Sequence, residues 1–329
     1  MKKRSAVLVA ALASVGLAAC GTAASDRPGE EARLLLDSPP NATHAGIYVA
    51  EARGFTDAEG VDLRIEVPGA ATDAVELLVS SRVQFAVLDL HELARAQEEE
   101  RDLVAVMALA QRPLTAVLAD PSVRSPRDLA GRRVGVTGRP ADDAVLDSIV
   151  SGADGDPQEI RRTTIGSGAV RALRSGTVDA VTAAWNVAGV ALKAERPQIR
   201  EFRVDEFGAP PYPGLVLVAR RTTLQDSPAL VQATVTALRR GYREVILGPE
   251  EAVGVLVDRA DGLERRVVKD QLDAVLPAFT AGGNAFGALN LPVLERWAEW
   301  AKRFRATRKR PDVARLFEPR FARQGVIRG

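Results

Sequence analysis

The sequence predicts an α/β fold of two lobes that are joined by two crossing strands. From residue 33 onwards, short apolar runs alternate with longer segments of helical periodicity. This alternation is typical of βα units on a mainly parallel sheet. A second block of the same kind begins near Ser125; a strand at 114–119 leads into it and a strand at 214–220 leads back. From Pro228 the chain is helical, and we expect this segment to complete the first lobe.

The pattern predicts each element in turn. In the first block the predicted strands are 34–36, 62–67, 85–88, 104–108 and 115–119, and the helices are 46–53, 73–79 and 92–98. In the second block the strands are 133–136, 162–165 and 178–183, and the helices are 142–150, 169–174 and 187–193. A strand at 215–218 precedes helices at 228–247, 250–259, 264–276 and 291–304. The predicted lobes are therefore 32–118 with 216–329, and 119–215.

The N-terminus has the features of a lipoprotein signal peptide. Basic residues at 2–4 precede an apolar run at 6–17, which is too short for a bilayer core that needs ~20 residues. The run ends in small residues around Cys20, which resembles the site where a thiol takes a diacylglycerol. An ordinary signal peptide that happens to contain a cysteine is the alternative. We predict cleavage after residue 19, lipid on Cys20, a tether at 20–31, and anchoring at the extracytoplasmic face of a cell membrane.

Cysteine usage and charge exclude several classes of function. Cys20 is the only cysteine of the 329 residues, so its lipidation leaves no disulfide, thiol nucleophile or cysteine metal site. Lys and Arg number 44 against 43 Asp and Glu, and this balance lacks the basic footprint of a nucleic-acid-binding protein. We therefore expect no nucleic-acid partner.

The most informative segment follows the first predicted strand and reads LDSPPNATHAGIY at 36–48. Ligands of open α/β sheets bind beyond the carboxyl ends of strands. Asp37, Asn41 and His44 are therefore candidate binding residues, and Tyr48 offers a flat aromatic face. The alternative is that Asn41 only caps the following helix and that His44 is a turn residue.

Other polar and aromatic residues stand at comparable positions. Asp89 and His91 follow a first-block strand, and Thr137 and Gly138 follow a second-block strand. Aromatic residues make up only 5% of the chain. Tyr48, Trp185 and Tyr212 nevertheless lie on predicted loops, where their rings could stack on a flat heteroaromatic ligand.

The two histidines could also indicate a metal site. His44 and His91 are the only histidines, and carboxylates lie near both. Their spacing resembles no zinc signature. We therefore expect neither a metal nor a cofactor.

These segments together resemble the thiamine-pyrimidine-precursor (ThiY-type) substrate-binding proteins of ABC transporters. The superfamily also includes riboflavin, alkylsulfonate, taurine and nitrate binders. Segment 36–48 is similar to the motif L-D-x-x-P-N-x-x-H-x-G-x-Y. The similarity continues at 54–63, 125–135, 176–181, Trp185-Asn186 and Tyr212-Pro213.

The resemblance implies a type II periplasmic binding protein fold with a two-stranded hinge and a helical C-terminal segment. It implies a monomeric receptor, not an enzyme, that closes its lobes on a hydroxymethyl- or formylaminomethyl-pyrimidine or a similar flat heterocycle. Its partners would be the permease and ATPase subunits of an importer. It also adds Asn186 to the expected ligand contacts.

Two alternatives stay open. One is a riboflavin, alkylsulfonate, taurine or nitrate receptor of the same superfamily. The other is a pyrimidine synthase, although the cysteine-rich iron motif of the fungal synthases is missing here.

Two positions depart from the family pattern. Ser38 stands where the family usually has an aromatic residue, and the family's W-N-x-E motif ends here in Ala188. The missing carboxylate would be the natural partner of an aminopyrimidine edge. Loss of one charged hydrogen bond in a buried site weakens binding by roughly 10- to 150-fold. The sequence therefore predicts weaker pyrimidine binding, or a different flat heterocycle such as a flavin.

Overall fold

The computed structural model describes residues 29–69, 71–166, 168–280 and 286–323. These residues form two α/β lobes, each built on a five-stranded mixed sheet. This confirms the predicted fold class. The predicted signal peptide and the lipidation site at Cys20 lie outside the described residues.

The sheet of lobe I has the strand order β2-β1-β3-β10-β4. Its strands are β1 (Glu30–Leu35), β2 (Val61–Glu66), β3 (Phe85–Asp89), β4 (Leu103–Ala110) and β10 (Leu215–Arg220). β1 runs parallel to β2 and β3, whereas β10 is antiparallel to both β3 and β4. All eight residues of β4 are buried, which agrees with its uninterrupted apolar sequence. Since β1 begins at Glu30, the predicted tether ends earlier than residue 31.

The sheet of lobe II has the strand order β7-β6-β8-β5-β9. Its strands are β5 (Thr115–Ala119), β6 (Arg133–Val136), β7 (Arg161–Thr164), β8 (Ala180–Ala184) and β9 (Arg200–Arg203). β5 pairs with β8 and β9, so the whole strand belongs to lobe II. The boundary predicted after residue 118 therefore falls inside a strand, and the chain crosses between the lobes at 111–114 instead.

Thirteen helices of the described residues surround the sheets. Those of the first block are α1 (Ala45–Ala52), α2 (Phe55–Ala58), α3 (Ala74–Val79) and α4 (Leu90–Glu98). Lobe II carries α5 (Pro140–Ser151), α6 (Ala169–Arg174) and α7 (Val190–Glu195). The C-terminal part contains α8 (Arg221–Asp226), α9 (Pro228–Leu247), α10 (Pro249–Arg259), α11 (Arg265–Val275), α12 (Leu291–Arg303) and α13 (Val313–Leu316). None of the helices in the described part of the chain is long and apolar enough to cross a membrane.

The helix predicted at 187–193 differs from the observed one. The chain first forms a π-helical turn at Trp185–Gly189 and only then α7. Such turns are rare and occur frequently at functional sites.

The C-terminal helices hold the segment 36–48 in place. α9 crosses α1 at two glycines, where a Cβ on Gly46 would lie 2.2 Å from the ring of Tyr242 and a Cβ on Gly241 would lie 2.1 Å from the carbonyl oxygen of Gly46. Tyr242 is fully buried, and its hydroxyl donates to the carbonyl oxygen of Thr43 at 2.7 Å. The helical segment therefore supports lobe I, as expected.

Candidate ligand-binding cleft

A cavity of about 490 Å³ lies between the lobes. It opens where β1 and β3 end in one sheet and where β6 and β8 end in the other. Small-molecule sites typically measure roughly 300–1,000 Å³. Most of the predicted ligand contacts line this cavity, namely Asp37, Asn41, Asp89, His91, Thr137, Asn186 and Tyr212. Ser38 and Ala188, the two departures from the family pattern, line it as well.

Four predicted contacts lie outside the cavity lining. His44 is fully buried behind Asp37, and Gly138 follows Thr137 in a left-handed turn with φ of 93°. Tyr48 lines a separate cavity of about 480 Å³ together with Leu63, because its position on α1 turns the ring away from the cleft.

Trp185 is used for packing instead of stacking on a ligand. Its Nε1 donates to the carbonyl oxygen of Pro113 at 3.0 Å, and the guanidinium of Arg203 lies 3.8 Å from the ring centroid. The ring thus joins the crossing segment 111–114 to β9. In this structure, neither Tyr48 nor Trp185 provides the predicted aromatic face in the cleft.

A buried histidine orients the carboxylate at the end of β1. The backbone N–H of Asn41 donates to Nδ1 of His44 at 3.3 Å, so the proton of the ring is on Nε2. Nε2 therefore donates to Oδ1 of Asp37, at 2.8 Å. Oδ2 of Asp37 has no hydrogen-bond partner among the described residues. This arrangement fixes the carboxylate and leaves one oxygen for a ligand.

Asn41 caps the following turn, as the alternative to a ligand-binding role predicted, and it also lines the cleft. Its Oδ1 accepts from the backbone N–H of Thr43 at 2.9 Å and so caps the turn that precedes α1. Its Nδ2 donates to Oγ of Ser38 at 3.2 Å and to the carbonyl oxygen of Pro39 at 3.1 Å. Ser38 therefore contributes a hydroxyl that braces the loop, where an aromatic residue would offer a flat face.

Asn186 joins the two lobes across the cleft. Its Nδ2 donates to Oγ1 of Thr43 at 2.8 Å, over a sequence separation of 143 residues. Its Oδ1 is buried and has no hydrogen-bond partner. The buried oxygen is an acceptor that a ligand donor would satisfy, because an unpaired buried polar atom costs free energy. Sequence reasoning missed Thr43, although it stands in the same segment as Asn41.

On another side of the cleft, Asp89 of lobe I and Arg139 of lobe II form an ion pair between the lobes. Oδ1 of Asp89 caps α4 by accepting from the backbone N–H of Glu92 at 2.8 Å, while Oδ2 lies 3.7 Å from Nη1 of Arg139. In lobe II, Asp142 accepts from the backbone N–H of Thr137 at 2.9 Å and also from its hydroxyl. Asp142 was not predicted, although acidic residues in the first turn of a predicted helix were visible in the sequence.

On the same side of the cleft, the imidazole of His91 packs against three aromatic rings, those of Tyr212, Trp297 and Trp300. The hydroxyl of Tyr212 lies 3.2 Å from Nε2 of His91, and Trp300 packs 5.6 Å from both rings. Trp297 completes the cluster and is fully buried. Desolvation lowers the pKa of His91, so the imidazole is neutral at pH 7, and burial raises the pKa of the Tyr212 hydroxyl. Trp297 and Trp300 are packing residues.

The hinge side carries further contacts between the lobes. Nε1 of Trp300 on α12 donates to Oγ of Ser148 on α5 at 2.8 Å. Between the crossing segments, Gly214 donates to the carbonyl oxygen of Ala110 at 3.0 Å, and Arg112 pairs with the buried Asp205 at 2.6 Å. Asn186 and Arg139 make contacts across the cleft itself. Together, the contacts on both sides hold the lobes in a closed arrangement.

Metal binding has no cluster to support it in the described part of the chain. Among these residues, no group of three or more His, Cys, Asp or Glu side chains is placed to hold an ion. His44 and His91 are each engaged with a different side-chain partner, Asp37 and Tyr212.

Comparison with known proteins identifies the family. The profile described as NMT1/THI5 like matches residues 41–252. The formylaminopyrimidine-binding protein of Halalkalibacterium halodurans is 30% identical over 298 residues, which cover 88% of this chain and 90% of that protein. The chain therefore belongs to the NMT1/THI5-like family, which confirms the resemblance found in the motifs.

Two further matches mark the range of this family and fold. The 4-amino-5-hydroxymethyl-2-methylpyrimidine phosphate synthase of Legionella pneumophila is 26% identical over 252 residues, covering 75% of this chain and 79% of that protein. The periplasmic aliphatic sulphonate binding protein SsuA of Escherichia coli superposes with a TM-score of 0.72 at 16% identity, covering 88% of this chain and 92% of that chain. The latter match supports the fold of a two-lobed binding protein.

Proposed function

We propose that this protein is the extracytoplasmic solute-binding receptor of an ABC importer and that it captures a thiamine pyrimidine precursor. The ligand would be a hydroxymethyl- or formylaminomethyl-pyrimidine, bound in the cleft by closure of the lobes. Membership of the family and the full-length similarity to a formylaminopyrimidine-binding protein support this proposal. Lipid on Cys20 would hold the monomeric receptor beside its permease and ATPase subunits.

One observation carries the choice of ligand: each lobe presents an amide or carboxylate oxygen in the cleft that has no donor. They are Oδ2 of Asp37, from lobe I, and the buried Oδ1 of Asn186, from lobe II. The exocyclic amino group of an aminopyrimidine supplies two N–H donors, which match such a pair. The carboxylate that the family has at position 188 is missing, but Asp37 and Asn186 leave acceptors for the same edge of the ring.

The lining also argues against an anionic ligand such as a sulfonate or nitrate. Anions bind well at helix N-termini, where backbone N–H groups are free. Here Asp89 caps α4, and Asp142 takes the backbone N–H of Thr137 just before α5. Arg139, the cation that lines the cleft, already faces Asp89. The carboxylate of Asp89 therefore occupies the N-terminus of α4, and that of Asp142 places a like charge beside the start of α5.

A pyrimidine synthase is the second function suggested by the relatives. The chain contains one cysteine, at position 20, and so lacks the cysteine-rich iron motif of the fungal enzymes. We propose a binding protein without catalytic activity. Incubation of the purified protein with iron and pyridoxal phosphate should yield no pyrimidine; measurable product would overturn this part of the proposal.

Calorimetric titration tests the proposal directly. The purified protein should bind a hydroxymethyl- or formylaminomethyl-aminopyrimidine, and the change Asp37→Asn should weaken binding by about 10- to 150-fold, because one charged hydrogen bond is lost. Asp57→Asn is the matched control, since Asp57 is exposed on α2 and distant from the cleft lining. Binding of sulfonates, nitrate or flavins alone would contradict the proposal.

A further inference from the structure

The charged side chains that line the cleft include more carboxylates than cations. Three carboxylates, those of Asp37, Asp89 and Asp142, face one guanidinium, that of Arg139. His91 also lines the cavity and adds no charge, because desolvation keeps its imidazole neutral. The lining thus carries a formal charge of −2 in a partly enclosed cavity, where electrostatic interactions are stronger than in bulk water.

Each of the three carboxylates keeps one oxygen without a hydrogen bond. Oδ1 of Asp37 accepts a hydrogen bond from Nε2 of His44, Oδ1 of Asp89 caps α4, and Oδ2 of Asp142 accepts from Thr137. For Oδ2 of Asp89 the contact with Arg139 is 3.7 Å, which is an ion pair but longer than a hydrogen bond. Asp142 is only 8% exposed and lines the cavity.

The positions of these groups suggest which part of a ligand they meet. Asp37 follows β1, and Asp89 is the last residue of β3. These two strands are neighbours in the sheet, and neighbouring strands lie about 4.8 Å apart. Asp89 and Asp142 line the same cavity as Asp37 and Asn186, so a charged substituent on a ring bound at Asp37 and Asn186 would lie within range of their carboxylates.

We propose that the cleft discriminates by the charge of this substituent and prefers an aminopyrimidine that carries an ammonium group over its neutral and anionic counterparts. This inference rests on the proposed function, because it assumes that the ring is bound at Asp37 and Asn186. An ammonium group supplies three donors and a positive charge, which match the carboxylate oxygens of Asp89 and Asp142 that accept no hydrogen bond. A phosphate ester in the same place would face like charges.

The test compares three ligands on the same 4-amino-2-methylpyrimidine ring, with aminomethyl, hydroxymethyl or phosphorylated hydroxymethyl at position 5. Calorimetry on the purified protein at low salt should give at least about tenfold tighter binding of the aminomethyl compound than of the hydroxymethyl compound. The phosphate ester should bind most weakly. Added salt should reduce the first difference, because screening weakens the charge–charge term.

Two variants should shift this preference in opposite directions. Asp89→Asn keeps the cap on α4, since asparagine caps helices well, and should reduce the preference for the ammonium compound to less than about threefold. Arg139→Gln removes the competing cation and should increase the preference. Arg127→Gln, an exposed position outside the cleft lining, is the matched control.

The outcomes separate this inference from the proposed function. Equal affinities for the ammonium and neutral compounds, unchanged by Asp89→Asn, would overturn the charge preference and leave the pyrimidine receptor intact. A protein that binds none of the three compounds would overturn the proposed function and this inference with it.

Discussion

The two faces of the cleft are built differently. Lobe I presents polar groups that the fold holds in place: Asp37 is fixed by the buried His44, and Asp89 is fixed as the cap of α4. Lobe II presents mainly small or apolar side chains, namely Ala141, Val145, Ala169, Ala183, Ala184, Val187 and Ala188. Its polar contributions come from Asn186, from Thr115 and Thr182 on the strands, and from residues around the start of α5.

This difference indicates a division of work between the lobes. Lobe I can orient a ligand before closure, because its acceptors are held by contacts within that lobe. In the proposed binding mode, lobe II would cover the ligand and add the amide of Asn186, which reaches the other lobe through Thr43. Changes in the scaffold of lobe I should therefore affect stability and affinity together, whereas changes at the contact between the lobes should affect mainly the lifetime of the closed state.

The largest effect is expected at the crossing of α1 and α9. In Gly46→Ala the new methyl group would lie 2.2 Å from the ring of Tyr242, which is itself fully buried. We expect the free energy of unfolding to fall by about 3 kcal/mol, since overpacking of a rigid core is costly. Urea denaturation measures this change.

The matched control is Gly254→Ala, inside α10. A Cβ there would meet only the flexible side chain of Arg265, at 3.6 Å. Alanine should raise the free energy of unfolding by about 0.5–1 kcal/mol, because glycine is unfavourable inside a helix. Equal stability of the two variants would show that the crossing of α1 and α9 is not the rigid support of the segment 36–48.

A smaller effect is expected at Glu92, which lies in the first turn of α4 after the cap residue Asp89. Its pKa is raised from 4.5 to about 7, first by burial and then by Asp89. Between these pH values the folded state binds a proton that the unfolded state has lost, so the free energy of unfolding falls as the pH rises from 4.5 to about 7. Glu92→Gln should remove this decline and stabilise the protein by about 2 kcal/mol at pH 8.

Denaturation over a series of pH values measures the effect at Glu92. Glu264→Gln, at an exposed position before α11, provides the control and should leave the pH profile unchanged. A profile of Glu92→Gln that follows the parent protein would show that the carboxyl group of Glu92 is well solvated.

The smallest effect is expected at the contact between the lobes. Thr43→Val removes the acceptor of Asn186 Nδ2 and keeps the shape of the side chain. Loss of this hydrogen bond should cost the closed state about 1 kcal/mol, which corresponds to roughly fivefold faster ligand release. Stopped-flow measurement of the dissociation rate tests this.

Thr234→Val is the matched control for Thr43→Val. Thr234 is also buried, but its hydroxyl has no hydrogen-bond partner and it lies on α9, away from the cleft lining. The dissociation rate of this variant should equal that of the parent. If Thr43→Val behaves in the same way, the contact does not contribute to holding the lobes together.

Much of the site could be predicted because strand ends are recognisable in the sequence. Asp37, Asp89 and Thr137 each follow a short apolar run, and the carboxyl ends of neighbouring parallel strands meet at one edge of a sheet. The strand β9 was missed for the opposite reason. Its sequence, Arg-Glu-Phe-Arg, contains one buried residue, Phe202, and its extended form depends on pairing with β5.

The sequence by itself determined the α/β class, the family and the strand ends that supply polar groups, because these depend on local periodicity and on residues close together in the chain. Only the tertiary structure decided which side chains face the cleft. Tyr48 and Trp185 point elsewhere because the direction of a side chain depends on how its helix or turn packs. The bond between Thr43 and Asn186 joins residues 143 positions apart, and such a contact exists only once both lobes have folded and closed.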